Sequence, residues 1–161
     1  MGDFRFAGEW RIPADADRVY SALAEVEEYP VWWPGVAAAR RIDEVSGEIH
    51  IHKLLPVELV FVATQFTADP DRRLLVARFT GDLDGTGRWD ITPVRGGTRA
   101  RYSEHIGIRI ALARAIGPLA RPVVHAGHER LMHLGERGLV RHLAQANRVR
   151  AVPDGHLRSG P

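Results

Sequence analysis

Glu104 and Tyr102 are the first residues of this chain whose setting suggests chemistry. Side chains in the stretch 98–109 alternate between a polar set and a largely apolar set, as in a half-buried strand. A buried carboxyl group is a typical acid–base catalyst, so Glu104 is a candidate for proton transfer. The alternative for Glu104 is a salt bridge to Arg78 or Arg109. The set predicted to face the core is Thr98, Ala100, Tyr102, Glu104, Ile106 and Ile108.

His128 is the second candidate, because it lies on the apolar stripe of a predicted long helix. An imidazole exchanges protons near neutral pH, so His128 could act as general base and acid in an aldol-type cyclisation or a dehydration. Tyr102 and Gln65 would then orient a carbonyl oxygen, or serve only as amphipathic wall residues. The alternative for His128 is a buried histidine that hydrogen-bonds one strand residue and fixes the helix.

The helix that carries His128 is predicted to span residues 118–145. Pro118 and Pro122 suit a first helical turn, whose amides need no partner. Gly135 and Gly138 lie on the buried stripe, which favours close approach of something flat and extended. At helical spacing the stripe consists of Ala120, Val124, His128, Leu131, Gly135, Gly138, Leu139, His142 and Ala146.

The remainder of the chain is predicted to form mostly strands. A first strand, 4–12, ends at Pro13, and Asp15 caps a helix over 16–26. One or two further helical turns around 27–29 should stop at Pro30 and Pro34. Connections this short favour antiparallel neighbours, and one helix cannot fill the concave face of the resulting curved sheet, so a cavity should remain. The six later strands are predicted at 36–43, 48–55, 59–67, 74–80, 86–92 and 98–109, with a turn at Ser46-Gly47.

Length and composition favour one domain, residues 1–146, followed by a flexible tail, 147–161. The chain has 161 residues with 45% hydrophobic content, and no apolar run reaches the roughly 18 residues of a membrane span. We therefore expect a cytoplasmic protein. Cysteine is absent, which excludes disulfides, thiolate metal sites and cysteine nucleophiles. A formal charge of only +2, with the basic residues dispersed among acids, argues against nucleic-acid binding.

Neither a metal site nor a nucleotide site is predicted. His50 and His52 share one face of a strand, but two ligands do not make a metal site and no nearby Asp or Cys completes one. Gly85-Thr86-Gly87 precedes a strand, whereas a phosphate-binding glycine turn should lead into a helix. We expect no cofactor.

Several short motifs in a fixed order resemble those of the helix-grip superfamily of START-like and pollen-allergen-like proteins, also called SRPBCC. Within it the chain is most similar to the small bacterial polyketide cyclase/dehydrase branch, over about residues 4–143. The motifs are Trp10-x-Ile12, Val19-Tyr20-x-Ala22-Leu23, Tyr29-Pro30-x-Trp32-Trp33-Pro34, Gly87-x-Trp89, Gly97-Thr98 and His128-x-x-x-Met132-x-x-Gly135-x-x-Gly138-Leu139.

The resemblance implies an α+β fold: a seven-stranded curved antiparallel sheet around a long C-terminal helix, with two short helices between strands 1 and 2. It also implies an internal cavity for a hydrophobic small molecule. It fixes no chemistry, because the superfamily includes carriers, receptors and cyclases without a common catalytic triad. Of Trp32 and Trp33, one ring is expected in the core under Pro34, and the other at the cavity mouth or in an oligomer contact. The residues expected to bind a ligand are Trp89, Trp33, Phe61, Gln65, Phe79, Val124 and Leu131.

Three functions follow as hypotheses. The leading one is a cyclase or lyase acting on a polyketide-like substrate, with His128, Glu104 and Tyr102 as catalytic residues. The second is a non-catalytic carrier or sensor of a lipid or aromatic ligand. The third is a structural module whose cavity is filled by side chains such as Phe61, Phe66, Phe79 and Trp89. Val60 and Val62 make the fourth of these strands apolar on both faces, which predicts a homodimer surface.

Overall fold

Seven antiparallel strands and one long helix make up most of the protein in a computed structural model, which describes residues 3–52, 57–109, 111, 114 and 117–151. The sheet order is β1-β7-β6-β5-β4-β3-β2, so the first strand pairs with the last and all other neighbours are consecutive. The strands are β1 (Asp3–Ile12), β2 (Val36–Arg41), β3 (Ser46–Ile51), β4 (Leu59–Asp69), β5 (Leu74–Gly81), β6 (Leu83–Val94) and β7 (Gly97–Ile108). The predicted α+β helix-grip fold is confirmed.

Two short helices and a 3₁₀ turn connect β1 to β2. Helix α1 (Ala16–Ala24) begins as predicted, because the Asp15 carboxylate accepts a hydrogen bond from the Asp17 amide at 2.9 Å. It ends two residues before the predicted boundary, and Val26–Glu28 form the 3₁₀ turn. Helix α2 (Tyr29–Trp32) corrects a further expectation, since Pro30 lies in its first turn instead of ending a helix.

The turn between β2 and β3 differs from the prediction. β2 ends two residues early, and the predicted Ser46-Gly47 turn already belongs to β3. The Asp43 carboxylate forms the turn instead, because it accepts hydrogen bonds from the amides of Val45 and Ser46 at 2.9 and 2.7 Å. The predicted end of β3, residues 53–55, lies outside the described residues.

Helix α3 (Ala120–Arg150) follows a 3₁₀ turn at Gly117–Leu119 and packs across the concave face of the sheet. It continues five residues past the predicted end, so residues 147–150 are helical and not part of a tail; residues 152–161 lie outside the description. Its buried stripe is rotated from the predicted one toward Met132 and Leu143. The buried residues are Val124, Gly127, Met132, Gly135, Gly138, Leu139 and Leu143.

Gly135 and Gly138, two of the three glycines of α3, lie where the helix packs against the α2 region. A Cβ atom on Gly135 would lie 2.5 Å from the Trp33 ring and 2.7 Å from the Trp10 ring. A Cβ atom on Gly138 would overlap the carbonyl oxygen of Trp32. The predicted close approach is therefore present, but its partners are indole rings and the backbone of a short helix, and not an extended strand.

Candidate ligand cavity and its histidine–glutamate pair

A cavity of about 160 Å³ lies between the concave face of the sheet and the first half of α3. It is partly open to solvent, and most of its lining is aliphatic or aromatic. Strands β3 to β7 form its floor, α3 covers it, and the α1–α2 region closes one side. The polar residue types in the lining are few: Tyr29, Gln65, Arg88, Glu104 and His128.

His128 and Glu104 meet in the wall of this cavity. The His128 Nε2 atom lies 2.7 Å from a carboxylate oxygen of Glu104, and the two side chains are 10% and 18% exposed. The register of β7 places Glu104 between Phe6 of β1 and Gly87 of β6. The sequence analysis predicted both side chains in the core, and the structure brings them into contact.

The alternative partners predicted for Glu104 are wrong. Arg78 lies 3.8 Å from Asp84, and Arg109 lies 3.9 Å from Asp82. Both arginines are well exposed, because each follows the outward parity of its strand. Glu104 thus has an imidazole as its partner inside the wall.

The protonation pattern of the pair follows from hydrogen-bond chemistry. An ionised carboxylate can only accept, so beside an ionised Glu104 the Nε2 atom of His128 would carry the shared proton and Nδ1 of a neutral ring would be the free lone pair. Among the described residues Nδ1 has no hydrogen-bond partner, and it is not one of the fully buried unpartnered atoms.

Phe6 is a site residue that the sequence analysis did not select. Its ring stacks on the His128 imidazole with 3.7 Å between centroids and 8° between planes. Phe6 lies directly opposite Glu104 in the β1–β7 pairing. The signal was available, since Phe6 has the inward parity of the first strand, but recognising it required the pairing of β1 with β7.

Tyr102 is placed differently from its predicted catalytic role. Its ring lies 5.4 Å from Trp89 and 6.0 Å from the His128 ring, and its hydroxyl covers Gly8 of β1. Tyr102 does not line the cavity. Burial, and then the nearby Glu104 carboxylate, raise the pKa of the Tyr102 phenol. Its ring lies beside the pair and Trp89, and its catalytic role stays a prediction.

All seven residues predicted to bind a ligand line the cavity: Trp89, Trp33, Phe61, Gln65, Phe79, Val124 and Leu131. Trp32 and Trp33 are both buried, at 4% and 7% exposure, although only one of the two rings was predicted in the core. The Trp33 indole N–H donates to the Leu131 carbonyl at 2.8 Å. Gln65 is anchored in the wall, because its amide donates to the Ala24 carbonyl at 2.9 Å.

The structural-module hypothesis required a cavity filled by side chains, but the cavity is open. Phe61, Phe79 and Trp89 line the space without filling it. Phe66, the fourth residue predicted to fill it, is 62% exposed, because it has the outward parity of β4, opposite to that of Phe61 and Ala63.

His50 and His52 make surface ion pairs. His50 lies 3.1 Å from both Glu48 and Glu58, and His52 lies 2.8 Å from Glu58. Within the described part of the chain, no three His, Asp or Glu side chains are arranged to hold a metal ion. None of the described helices is long and apolar enough to cross a membrane.

A curved antiparallel sheet closed on a C-terminal helix, with an apolar cavity between them, defines a helix-grip protein of the START-like, SRPBCC class. The chain belongs to the family described as polyketide cyclase / dehydrase and lipid transport, whose model matches residues 3–144. A comparison with curated protein sequences found no match.

Solved structures with the same fold include polyketide enzymes. The Zhui aromatase/cyclase from Streptomyces sp. R1128 has a TM-score of 0.74 at 18% identity, covering 97% of this chain and 100% of that one. The protein TTHA0849 from Thermus thermophilus has a TM-score of 0.74 at 17% identity, covering 90% and 99%. A START superfamily protein from Mycobacterium smegmatis has a TM-score of 0.66 at 14% identity, covering 89% and 98%. At these identities the similarity concerns the fold.

Proposed function

We propose that this protein binds a polyketide-like molecule in its cavity and catalyses cyclisation or dehydration there. The supporting observation is the His128–Glu104 pair, which places a proton-transferring group in the wall of an otherwise mostly apolar cavity. Membership of the polyketide cyclase / dehydrase and lipid transport family supports the same class of ligand.

The proposed reaction assigns each proton. Nδ1 of His128 removes a proton from a carbon between two carbonyl groups, while Glu104 stabilises the resulting imidazolium through Nε2. The enolate carbon then bonds to the carbon of a more distant carbonyl group of the same substrate chain. The imidazolium returns its proton to the alkoxide that this bond creates. For dehydration, the base removes a proton beside the carbinol carbon, and the hydroxyl leaves as water with the proton that the imidazolium returns.

Positioning supplies the rest of the proposed catalysis. Trp89, Phe61 and Phe79 provide flat apolar walls on which a chain can fold into a reactive conformer, which is worth several kcal/mol. The cavity of about 160 Å³ resembles the roughly 150 Å³ cavity that accommodates benzene in another protein. A longer chain must therefore displace side chains, or extend through the open part of the cavity.

The test compares binding and conversion in matched variants. With a synthetic poly-β-ketone thioester as probe, His128→Gln and Glu104→Gln should each lower the single-turnover rate by about 100-fold. The Kd of the probe should stay within about threefold, because the apolar walls remain. His133→Gln is the control, since His133 is exposed on the same helix. Equal conversion by all four proteins would overturn the proposed catalytic pair.

Binding without chemistry is the second candidate, and one observation favours it. Glu104 holds the Nε2 atom of His128 and the Phe6 ring stacks on the imidazole, as in a structural pair. Native mass spectrometry of the purified full chain separates the candidates. Retained fatty acids, together with an unconverted poly-β-ketone probe, would indicate a carrier, whereas a retained cyclised product would support the enzyme.

A further inference from the structure

The outward face of α3 carries a straight row of arginines. At 3.6 residues per turn, Arg137, Arg141 and Arg148 lie within about 20° of Arg130 around the helix axis. All four side chains are exposed. The row is about 27 Å long, from 18 residues at 1.5 Å each. We call it the arginine row.

Charge is distributed unevenly between α3 and the rest of the chain. The helix has six of the 22 basic residues and two of the 20 acidic ones, a net charge of +4. The remainder, with 16 basic and 18 acidic residues, has a net charge of −2. The formal net charge of +2 is therefore the sum of a basic helix and a slightly acidic remainder of the chain.

Eight arginines on the sheet and its loops have an acidic partner within 4.0 Å, whereas the arginine row has none among the described residues. Arg88 pairs with Asp90 at 2.6 Å and Arg73 with Asp17 at 2.7 Å. Over the described ranges, none of the four row arginines is within ion-pair distance of a carboxylate. The acids of the helix lie to one side of the row, where Glu136 accepts a hydrogen bond from the Arg11 amide of β1 at 2.9 Å.

From this geometry we infer that the arginine row is a docking surface for an acidic helix of a partner protein. Guanidinium groups bind carboxylates in a bidentate manner, and a partner helix with Asp or Glu at i, i+7, i+11 and i+18 has the matching spacing. A membrane fits less well, because the large apolar side chain on this face, Leu134, is only partly exposed. Single-stranded nucleic acid fits less well, because the row has no aromatic ring for base stacking.

The probe for this surface is a synthetic helical peptide with glutamate at those four positions and Ala or Gln elsewhere. Fluorescence anisotropy with the full chain should show binding that weakens as salt increases. Arg137→Gln/Arg141→Gln should weaken it by about tenfold at low ionic strength, since two exposed ion pairs are lost. The control is Arg78→Gln/Arg95→Gln, which removes the same charge from exposed positions outside the helix and should change binding by less than about twofold.

A charge exchange gives the second test. Arg137→Glu/Arg141→Glu should lose the glutamate peptide and gain a peptide with lysine at the two corresponding positions. Equal binding by the row and control variants, or equal binding of a scrambled glutamate peptide, would overturn the inference. So would row-dependent binding of poly(U) RNA or of phosphatidylserine vesicles when the glutamate peptide does not bind. These results do not depend on whether the cavity is catalytic.

Discussion

The two halves of helix α3 pack in opposite ways. In the first half, Val124, His128 and Leu131 line a cavity of about 160 Å³. In the second half, Gly135 and Gly138 allow Trp33 and the Trp32 backbone to lie directly against the helix, and Leu139 is fully buried. The glycines fix the helix tightly at one end, which lets the other end cover space without collapsing into it.

The largest expected effect comes from breaking the tight half. Gly138→Ala should destabilise the protein by about 2 kcal/mol, although alanine gains about 1 kcal/mol in helix propensity, because the new methyl group overlaps the Trp32 carbonyl oxygen. Urea denaturation measures the change. Gly47→Ala is the control, since its nearest atom would be 3.6 Å away, an ordinary contact. A Gly138→Ala protein as stable as Gly47→Ala would show that the two halves do not differ in packing.

Replacing one residue in each half of α3 by a larger one tests the same difference in packing. The larger side chain should destabilise the tight half and be tolerated in the cavity half. Leu139→Phe should cost about 1–3 kcal/mol, because the added atoms have no space. Val124→Phe should change stability by less than about 1 kcal/mol, because the ring can enter the cavity, and should weaken ligand binding at least about tenfold. Thermal unfolding and titration with the poly-β-ketone probe measure the two quantities. Similar losses of stability in both variants would contradict the contrast.

The sequence predicted the elements of the fold because their signals are local. Alternation in 98–109 gave the inward face of β7, and the glycines on the stripe of α3 gave the close approach. Element ends were less accurate where side-chain hydrogen bonds decide them. The turn made by the Asp43 carboxylate between β2 and β3 is such a case. Pro30 was misjudged for another reason, since proline suits the first turn of a helix as well as its end.

The sequence predicted which residues form the site, but it did not predict which of them touch each other. Glu104 and His128 were each expected in the core, yet nothing local shows that a residue on β7 and one 24 positions later share a hydrogen bond. Phe6 was missed because its contact with His128 depends on the pairing of the first and last strands. Tyr102 was expected beside a ligand, but strand parity gives the face and not the depth, and its ring lies behind the wall.

The contact between Phe6 and His128 should contribute a measurable coupling free energy to the stability of the half of the molecule that holds the cavity. In a double-mutant cycle, Phe6→Leu and His128→Gln should couple by about 1 kcal/mol, because the two rings stack. Phe4→Leu is the matched control, since Phe4 stacks on Phe6 at 6.0 Å and not on His128. Its coupling to His128→Gln should be close to zero. Equal couplings in the two cycles would mean that the stacking does not position His128.

The smallest expected effect comes from His50, which pairs with Glu48 and Glu58 on the surface as His128 pairs with Glu104 in the cavity wall. Hydrogen bonds that His50 donates to the Glu48 and Glu58 carboxylates raise the pKa of His50 above 6.5, and the same bonds lower the pKa of both carboxyl groups below 4.5. The histidine's contribution is complete below pH 6.5 and is lost as the pH rises through its raised pKa. The carboxylates' contribution is complete above pH 4.5 and is lost as the pH falls through their lowered pKa values.

His50→Gln should therefore lower the free energy of unfolding most between about pH 4.5 and 6.5, and less on either side. Urea denaturation across this range measures the difference from the unaltered protein. The loss should be smaller than those above, because the His50 and Glu58 side chains are 30% and 42% exposed and water screens their charges. His133→Gln should give no such maximum, since no carboxylate among the described residues pairs with His133. A loss at His50 that stays constant across the range would show that packing, and not the ion pairs, holds this end of β3.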